Sequence, residues 1–121
     1  KKRRKMICFI YGVSDIINKL KDETKKKFSN LMKQNNMINL VTFIFVENPD
    51  LLRSYVFEEW FKSNADMTRG IFVGNGFTDQ SVIKVSKITK EDREEIPNDY
   101  GFIVNMSKAS QIKLLQMEEE N

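Results

Sequence analysis

The sequence contains no histidine and a single cysteine among its 121 residues. Without histidine, Ser–His and Cys–His nucleophile pairs are excluded and the commonest zinc ligand is missing. One cysteine cannot close an internal disulfide, which favours a reducing compartment. Cys8 stands inside an apolar run and is expected to be a small buried hydrophobe. No spacing of carboxylates matches a calcium-binding loop, so we predict no metal site.

Long apolar runs and a signal peptide are also missing. No run approaches the roughly 20 residues that a membrane-spanning helix needs, and the basic start leads into a short run without a small-residue cleavage site. Hydrophobic residues make up 40% of the chain and charged residues 31%, the balance of a globular protein. The chain begins without Met, and we expect it to be one domain, or part of one, from a longer protein.

The basic charge is concentrated at the start of the chain. Five of the 20 basic residues occupy positions 1–5, which leaves 15 basic residues against 17 acidic ones. A nucleic-acid binder normally carries a basic stripe on its folded face, and no such stripe is present, so we expect no nucleic-acid partner. Residues 1–5 are interpreted as a basic linker or tail, with contact to a phosphate or an anionic lipid as the alternative. Residues 117–121 are expected to be an acidic frayed tail.

The first part of the chain alternates apolar runs with helical patterns. Met6 to Ile10 and Leu40 to Val46 are continuous and β-prone, which predicts two strands buried on both faces. Between them the spacing predicts a helix that is capped by Ser14 or Asp15 and continues from a second cap at Asp22 until Asn35-Asn36 breaks it. Strand–helix–strand order implies that the two strands pair in parallel. The side chains expected to point inward from the helical region are Ile16, Ile17, Leu20, Phe28, Leu31 and Met32.

Asn48-Pro49-Asp50 is a strong helix start, with Asn as the cap and Pro at the first helical position. We predict a helix from Pro49 to about Lys62. Its apolar side chains cover more than half of the helical wheel. This apolar stripe is wider than the one that a surface helix needs. Two interpretations remain open, burial in the intact domain or a docking surface for a partner. The candidate partner-binding residues are Tyr55, Phe57, Trp60 and Phe61.

The second part of the chain has shorter patterns. They predict strands over Gly70 to Val73 and Val82 to Ser86 and a short helix over Thr89 to Ile96 with a Thr89–Asp92 capping box. A closing hairpin is predicted from Tyr100 to Val104 and from Gln111 to Leu115. Gly74-Asn75-Gly76 is interpreted as a turn. It lacks the following Lys and Ser/Thr of a phosphate-binding loop.

Three segments taken together resemble the C-terminal half of the FtsK/SpoIIIE family of ring motor ATPases. MICFIYGVSDIINKL is similar to that family's Walker B strand and following helix start, and FIFVENPD is similar to its sensor strand. VIKVSKITKED followed by DYGFIVNMSKASQIKLL is similar to its late strand, helix start and closing hairpin. The resemblance implies an α/β fold of the three-layer RecA-like, P-loop NTPase type. It would have a mostly parallel sheet and flanking helices, with only the C-terminal half present.

The resemblance is closer to the last ATPase domain of the EssC family of type VII secretion motors of Gram-positive bacteria. It rests on FEEWF, GIFVGNGFTDQ, REEI, YGFIVN and QIKLLQ, and it covers residues 6–116, which we take as one body. It implies a location on the cytoplasmic side of the bacterial cell membrane, with the membrane reached only through the rest of the protein. It also implies two kinds of partner: secreted helical substrates of the WXG100 class and other ATPase domains of the same motor.

The positions that carry hydrolysis in the family are altered here. The Walker B strand of active members ends in Asp-Glu, and the matching pair is Tyr11-Gly12. Asp15 matches a later Asp and is interpreted as a cap, while Glu47-Asn48 replaces the Gln-Arg of the sensor strand. These five positions are expected to be remnants of a nucleotide site, with no catalytic residue among them. Phosphoryl transfer depends on positioned carboxylates and magnesium.

No G-x-x-x-x-G-K-[ST] loop occurs in the chain, and in the family that loop lies upstream of the matched region. We therefore expect no cofactor for this chain, with ATP and magnesium only in the presence of the upstream half. The leading hypothesis is a non-hydrolytic or regulatory part of a type VII secretion motor that binds substrates or neighbouring domains. The alternatives are a fragment of an active ATPase and, less favoured, a DNA translocase domain.

Overall fold

The computed structural model describes residues 4–34 and 39–116, which form an α/β structure with a parallel and an antiparallel sheet. The chain divides into two compact units, the first ending at Ala65 and the second beginning at Asp66. The sequence had suggested a single body over residues 6–116. Residues 1–3, the helix break expected at Asn35-Asn36 and the acidic tail 117–121 lie outside the described residues.

The first unit is built from two strands, three helices and one 3₁₀ turn. The predicted parallel pairing is confirmed, with a register that runs from Met6 opposite Leu40 to Tyr11 opposite Phe45. In chain order the elements are β1 (Met6–Tyr11), α1 (Val13–Lys19), α2 (Asp22–Lys33), β2 (Leu40–Phe45), the 3₁₀ turn Pro49–Leu52 and α3 (Glu59–Asn64).

Both predicted side-chain caps of the helical region are wrong. The N-cap of α1 is Gly12, in the left-handed conformation at φ 62°, and no side chain caps the helix. A glycine takes this conformation without the Cβ clash of other residues, so the chain turns from β1 directly into α1. Ser14 and Asp15 consequently lie inside the helix. Asp22 is likewise the first helical residue of α2 rather than its cap.

Burial of the helical side chains follows the predicted spacing only in part. Ile17 and Met32 are buried as predicted, together with Val13. Ile16 and Leu31 are exposed, which contradicts the prediction. Val13 and Ile17, four residues apart, form the inner face of α1, and Ile16 therefore lies to one side of it.

The two strands of the first unit are covered on one face only, among the described residues. Ile10 is buried and Cys8 and Thr42 are half-buried, whereas the alternate positions such as Phe9 and Phe43 are exposed. The prediction of burial on both faces is therefore wrong for this structure, and so is full burial of Cys8. A continuous apolar run indicates two covered faces only where a layer of structure lies on each side of the sheet.

The predicted helix from Pro49 to Lys62 is wrong as a single element. A 3₁₀ turn ends at Leu52, residues 53–58 form turns, and α3 begins at Glu59. Within the turns, the Tyr55 and Glu58 N–H groups donate to carbonyl groups three residues earlier, at 2.9 Å each. The break brings both Tyr55 and Trp60 into buried positions, which explains the wide apolar pattern without a helix that is apolar on most sides.

The second unit is an antiparallel sheet in the order β3 (Gly70–Val73), β4 (Tyr100–Asn105) and β5 (Lys108–Lys113). The closing hairpin is confirmed, with a tighter connection than predicted. Its two-residue turn is Met106-Ser107, and both residues have positive φ, at 50° and 62°. Such turns match the twist of the two strands that they join. The core of this unit is the cluster Phe77, Ile96, Phe102 and Val104.

Two further elements predicted for the second unit are not formed. Residues 82–86 are not a strand, because the Gln80 side chain accepts hydrogen bonds from the Val82 and Ile83 N–H groups in place of a neighbouring strand. The helix predicted over 89–96 is reduced to a 3₁₀ turn at Glu91–Arg93. Its capping box is confirmed: the Thr89 N–H donates to Asp92 at 2.8 Å, and the Asp92 N–H donates to the Thr89 hydroxyl at 3.3 Å. None of the helices in the described residues has the length and apolar content needed to cross a bilayer.

Candidate functional site

Three predicted site positions, Tyr11, Gly12 and Glu47, lie at the carboxyl edge of the β1–β2 sheet. Because the strands are parallel, both end at this edge. Tyr11 is the last residue of β1 and pairs with Phe45, the last residue of β2. The next N–H, that of Gly12, donates to the Phe45 carbonyl at 3.3 Å and extends the ladder by one hydrogen bond. Glu47 follows β2 by two residues and is exposed. The end of β1 and the end of β2 are therefore adjacent.

The side chain at the end of β1 is an aromatic ring rather than an acid. The Tyr11 ring stacks on Phe45 with centroids 4.6 Å apart and planes 10° from parallel. Asp15 is exposed in the first turn of α1, one turn beyond this edge. The edge therefore presents a stacked phenol, with a carboxylate beyond it on a separate element.

Asn48 has a structural role that agrees with the prediction of a cap. Its side-chain oxygen accepts a hydrogen bond from the Asp50 N–H at 3.0 Å, and Pro49 occupies the first helical position. The Ser14 hydroxyl donates to the Leu51 carbonyl at 3.4 Å, which joins the first turn of α1 to this 3₁₀ turn. The amide oxygen of Asn48 is engaged with backbone and is not directed to a ligand.

The residues at this edge do not fit magnesium and a nucleotide. Hydrolysis of a nucleotide needs one carboxylate that holds the water shell of magnesium and a second that orients the attacking water. Tyr11 and Gly12, where β1 ends, carry no carboxylate, and the amide oxygen of Asn48 is held by its own backbone contact. No cluster of three or more carboxylate or thiol side chains suited to a metal occurs among residues 4–34 and 39–116.

Three of the four candidate partner-binding residues belong to an aromatic cluster inside the first unit. Tyr55, Trp60 and Phe61 are buried. The Trp60 ring contacts Phe28 of α2 edge-on at 5.4 Å and Phe61 edge-on at 5.7 Å. The Tyr55 hydroxyl hydrogen-bonds to the Asn18 side chain at 3.3 Å. For these residues the structure favours burial, the first of the two interpretations.

Phe57 is the exposed member of the four. It lies in the turns between the 3₁₀ turn and α3, and 80% of its surface is accessible. A phenylalanine in this position contributes little to the core and is free to contact a partner. The sequence did not distinguish Phe57 from its neighbours because a continuous helix was assumed for all of them.

The Gly74-Asn75-Gly76 stretch is confirmed as a turn, with positive φ at both glycines. The Asn75 side chain both accepts from the Ile96 N–H and donates to the Ile96 carbonyl, each at 2.9 Å. A shallow depression of about 410 Å³ lies beside this turn, and its other lining residues include Asp79, Asp92 and Glu94. These acids would repel a phosphate, which argues against a phosphate cradle. The sequence pattern did not predict this depression, because the residues on its two sides are separated by 13 or more positions along the chain.

Asp66, the first residue of the second unit, has a pKa that is lowered from its ordinary value. The Thr68 hydroxyl and backbone N–H both donate to its carboxylate, at 2.7 and 2.8 Å, and lower the pKa of Asp66 from its ordinary value. The nearby Arg69 acts in the same direction. The contacts stabilise a turn between Asp66 and Arg69 and lie at the surface, so the arrangement is structural.

Comparisons of the chain with protein-family models, with curated proteins and with solved structures find no match.

Proposed function

We propose that this chain is a non-hydrolytic or regulatory part of a type VII secretion motor ATPase, in which it binds export substrates or neighbouring ATPase domains. In this proposal the β1–β2 pair belongs to the C-terminal half of a RecA-like sheet of the FtsK/SpoIIIE type. The order of the resembling segments along the chain supports this assignment. The parallel register of β1 and β2 is the pairing that such a sheet requires.

The observation that carries the proposal is the stacked Tyr11 ring at the carboxyl edge of the parallel pair. In α/β sheets of this type, ligands bind outside the carboxyl ends of the strands. A ring packed against Phe45 cannot hold the water shell of a metal ion or orient an attacking water. The chain is therefore proposed to act by contact with partners instead of by cleavage.

Phe57 is proposed as the first contact residue for a partner. Exposed aromatic side chains are frequent anchors of protein interfaces, since a ring buries a large area at a small entropic cost. The best-suited partners are helical ones with an apolar stripe, which describes both WXG100-class substrates and packed motor domains.

The test is calorimetric titration of the chain with WXG100-class substrates and with neighbouring domains of the same motor. Phe57→Ala should weaken binding by about tenfold or more, as for an anchor residue. Leu115→Ala is the matched control, because Leu115 is fully exposed in the second unit, and it should leave the affinity unchanged. If none of these partners binds the unmodified chain, the proposed function is wrong.

An active ATPase whose phosphate loop lies upstream is the second candidate. The exposed carboxylate of Asp15, one turn beyond the edge, is the observation that favours it. A longer polypeptide that includes the upstream half should then hydrolyse ATP, and Asp15→Asn should reduce the turnover by at least about a hundredfold. Absence of turnover would exclude this candidate, and turnover that is unaffected by Asp15→Asn would exclude a catalytic role for Asp15.

A further inference from the structure

The turn that follows β3 contains the one Asn-Gly pair of the sequence, Asn75-Gly76. Asparagine is a chemically labile residue. It is most labile before glycine, because no side chain of the next residue hinders the approach of that residue's nitrogen to the asparagine side chain. Asn75 and Gly76 are both exposed, so water has access to the pair.

Loss of the Asn75 amide needs only these two residues and water. The Gly76 nitrogen gives up its proton and attacks Cγ of Asn75, the Cγ–Nδ2 bond breaks, and the nitrogen leaves as ammonia with that proton. A five-membered succinimide ring remains, and a water molecule opens it at one of its two carbonyl carbons. The product is aspartate, or isoaspartate, in which the main chain runs through the former side-chain carbon.

In the folded second unit the Asn75 amide is held by two hydrogen bonds to a single residue, Ile96. The amide oxygen accepts from the Ile96 N–H and the amide nitrogen donates to the Ile96 carbonyl, each at 2.9 Å. We name these two bonds the Asn75 clamp. Ring closure requires the amide to turn toward the Gly76 nitrogen and to release its own nitrogen, which breaks the clamp. Ile96 cannot follow this motion, because its side chain is only 9% exposed and lies in the core cluster with Phe77 and Phe102.

A carboxylate at position 75 does not fit the clamp. It has acceptor atoms only, so the Ile96 carbonyl oxygen would face a second oxygen in place of a donor. The misfit therefore costs more than one lost hydrogen bond, because two partial negative charges are brought together. The neighbouring depression adds to the repulsion, since one basic side chain and four acidic ones line it: Arg93, Asp79, Asp92, Glu94 and Glu95.

We propose that Asn75 is a site of spontaneous modification, at which the amide becomes a carboxylate when the second unit opens. The clamp protects the amide in the closed unit, and the carboxylate then prevents the clamp from forming again. Refolding does not reverse the loss of ammonia, so modified chains accumulate with the time that the unit spends open. The proposal concerns the second unit and is independent of the proposed function.

The first test compares the 121-residue chain in buffer and in urea at the same pH and temperature. Mass spectrometry of the tryptic peptide 70–84 measures the reaction, because Asn75 is the single asparagine of that peptide. Conversion in urea should be about a hundredfold faster than in buffer, the factor by which closure of a small unit suppresses a reaction of its open state. Asn105, which is exposed and precedes Met106, is the internal control and should keep its amide in both samples.

A matched pair of variants separates opening of the unit from the effect of urea. Phe102→Ala removes a ring that is 2% exposed in the core cluster, and it should bring the rate in buffer to within about threefold of the rate in urea. Ile103→Ala changes the adjacent position, which is 41% exposed. This control should convert at the rate of the unmodified chain.

The second test examines the effect of the product on the folded unit. Asn75→Asp should lower the hydrogen-exchange protection of the β4 amide protons by about tenfold, because it breaks one bond of the clamp and sets two oxygen atoms against each other. Asn105→Asp adds the same charge at an exposed position of the same unit. It should leave the protection within about twofold of the unmodified chain.

Three outcomes would overturn the proposal. They are no conversion of Asn75 in urea, equal rates of conversion in urea and in buffer, and full protection of the β4 amide protons in Asn75→Asp. None of these measurements involves a secretion partner or Phe57. Failure of the modification site and failure of the proposed function are therefore distinguishable.

Discussion

Thr42 places a hydroxyl group at a solvent-inaccessible position of β2, and among the described residues this group has no hydrogen-bond partner. Removing such a group from water without a partner costs about 1–3 kcal/mol. Valine has nearly the same shape and no polar atom. At the scale of a single residue, Thr42 is therefore a site where the sequence is not optimised for stability.

We expect Thr42→Val to raise the free energy of unfolding by about 1 kcal/mol, because it removes the unpaired hydroxyl while keeping the shape. Urea unfolding followed by circular dichroism measures this change. Thr68→Val is the control: its hydroxyl donates to Asp66 at 2.7 Å, so the same substitution should give no gain and should raise the pKa of Asp66. A loss of stability in Thr42→Val would show that the hydroxyl has a partner in solution.

At the scale of elements, the contact between α2 and α3 depends on one large side chain, that of Trp60. Trp60 is only 3% exposed and packs against Phe28 of α2. The Asn64 side chain adds a hydrogen bond to the Met32 carbonyl at 2.8 Å. One six-residue helix, α3, therefore supplies both the buried ring of Trp60 and the side-chain donor for a carbonyl group in the last turn of α2.

Trp60→Ala should lower the free energy of unfolding of the first unit by about 3–5 kcal/mol, because the cavity adds to the lost burial. Phe57→Ala, three residues away and exposed, should change it by less than about 0.5 kcal/mol. Denaturant melts of both variants, followed by circular dichroism, measure the difference. Equal effects of the two substitutions would contradict the placement of these rings.

The sequence predicted elements well where local signals and pairing agree. The alternation of two apolar runs with a helical region predicted β1, β2 and their parallel order, and the Asn48-Pro49 pair predicted the cap at that position. The apolar pattern predicted a wrong element where a side chain, and not a neighbouring strand, accepts the backbone hydrogen bonds. Gln80 holds the Val82 and Ile83 N–H groups, which no periodicity can predict. The apolar pattern over 51–61 is wide because a 3₁₀ turn, the turns after it and the start of α3 each contribute apolar side chains.

The sequence predicted only part of the candidate site. Parallel strands end at the same edge of a sheet, so the predicted order of elements was enough to place Tyr11 beside the end of β2. Which aromatic ring would be exposed did not follow, because a helical wheel gives a false position for every residue after the break at Arg53. Phe57 was therefore grouped with three core residues.

At the scale of the whole molecule, the second unit has its own core. Phe77 and Phe102 stack with centroids 4.3 Å apart, and Ile96 and Val104 complete the cluster. The boundary between Ala65 and Asp66 carries no glycine or proline, and the polar stretch before it, Lys62-Ser63-Asn64, is only three residues long. A stretch this short is ordinary at the end of a helix, so the sequence suggested one body.

A fragment of residues 66–121 should fold alone, since its core lies within the unit. A dispersed amide NMR spectrum and a cooperative melt are the expected results. Phe102→Ala should abolish both, because a buried ring contributes about 3–5 kcal/mol and units of this size are only marginally stable. Ile103→Ala, the adjacent exposed position, should preserve them. A collapsed spectrum for the unmodified fragment would contradict this prediction.

Trp60 is the sole tryptophan of the chain, and it is shielded from water in the first unit. Its indole emission should thus be blue-shifted and poorly quenched by iodide. On denaturation, a red shift of the tryptophan emission would report the unfolding of the first unit. The second unit contributes no tryptophan signal. The polypeptide carries an intrinsic optical label for one of its two halves.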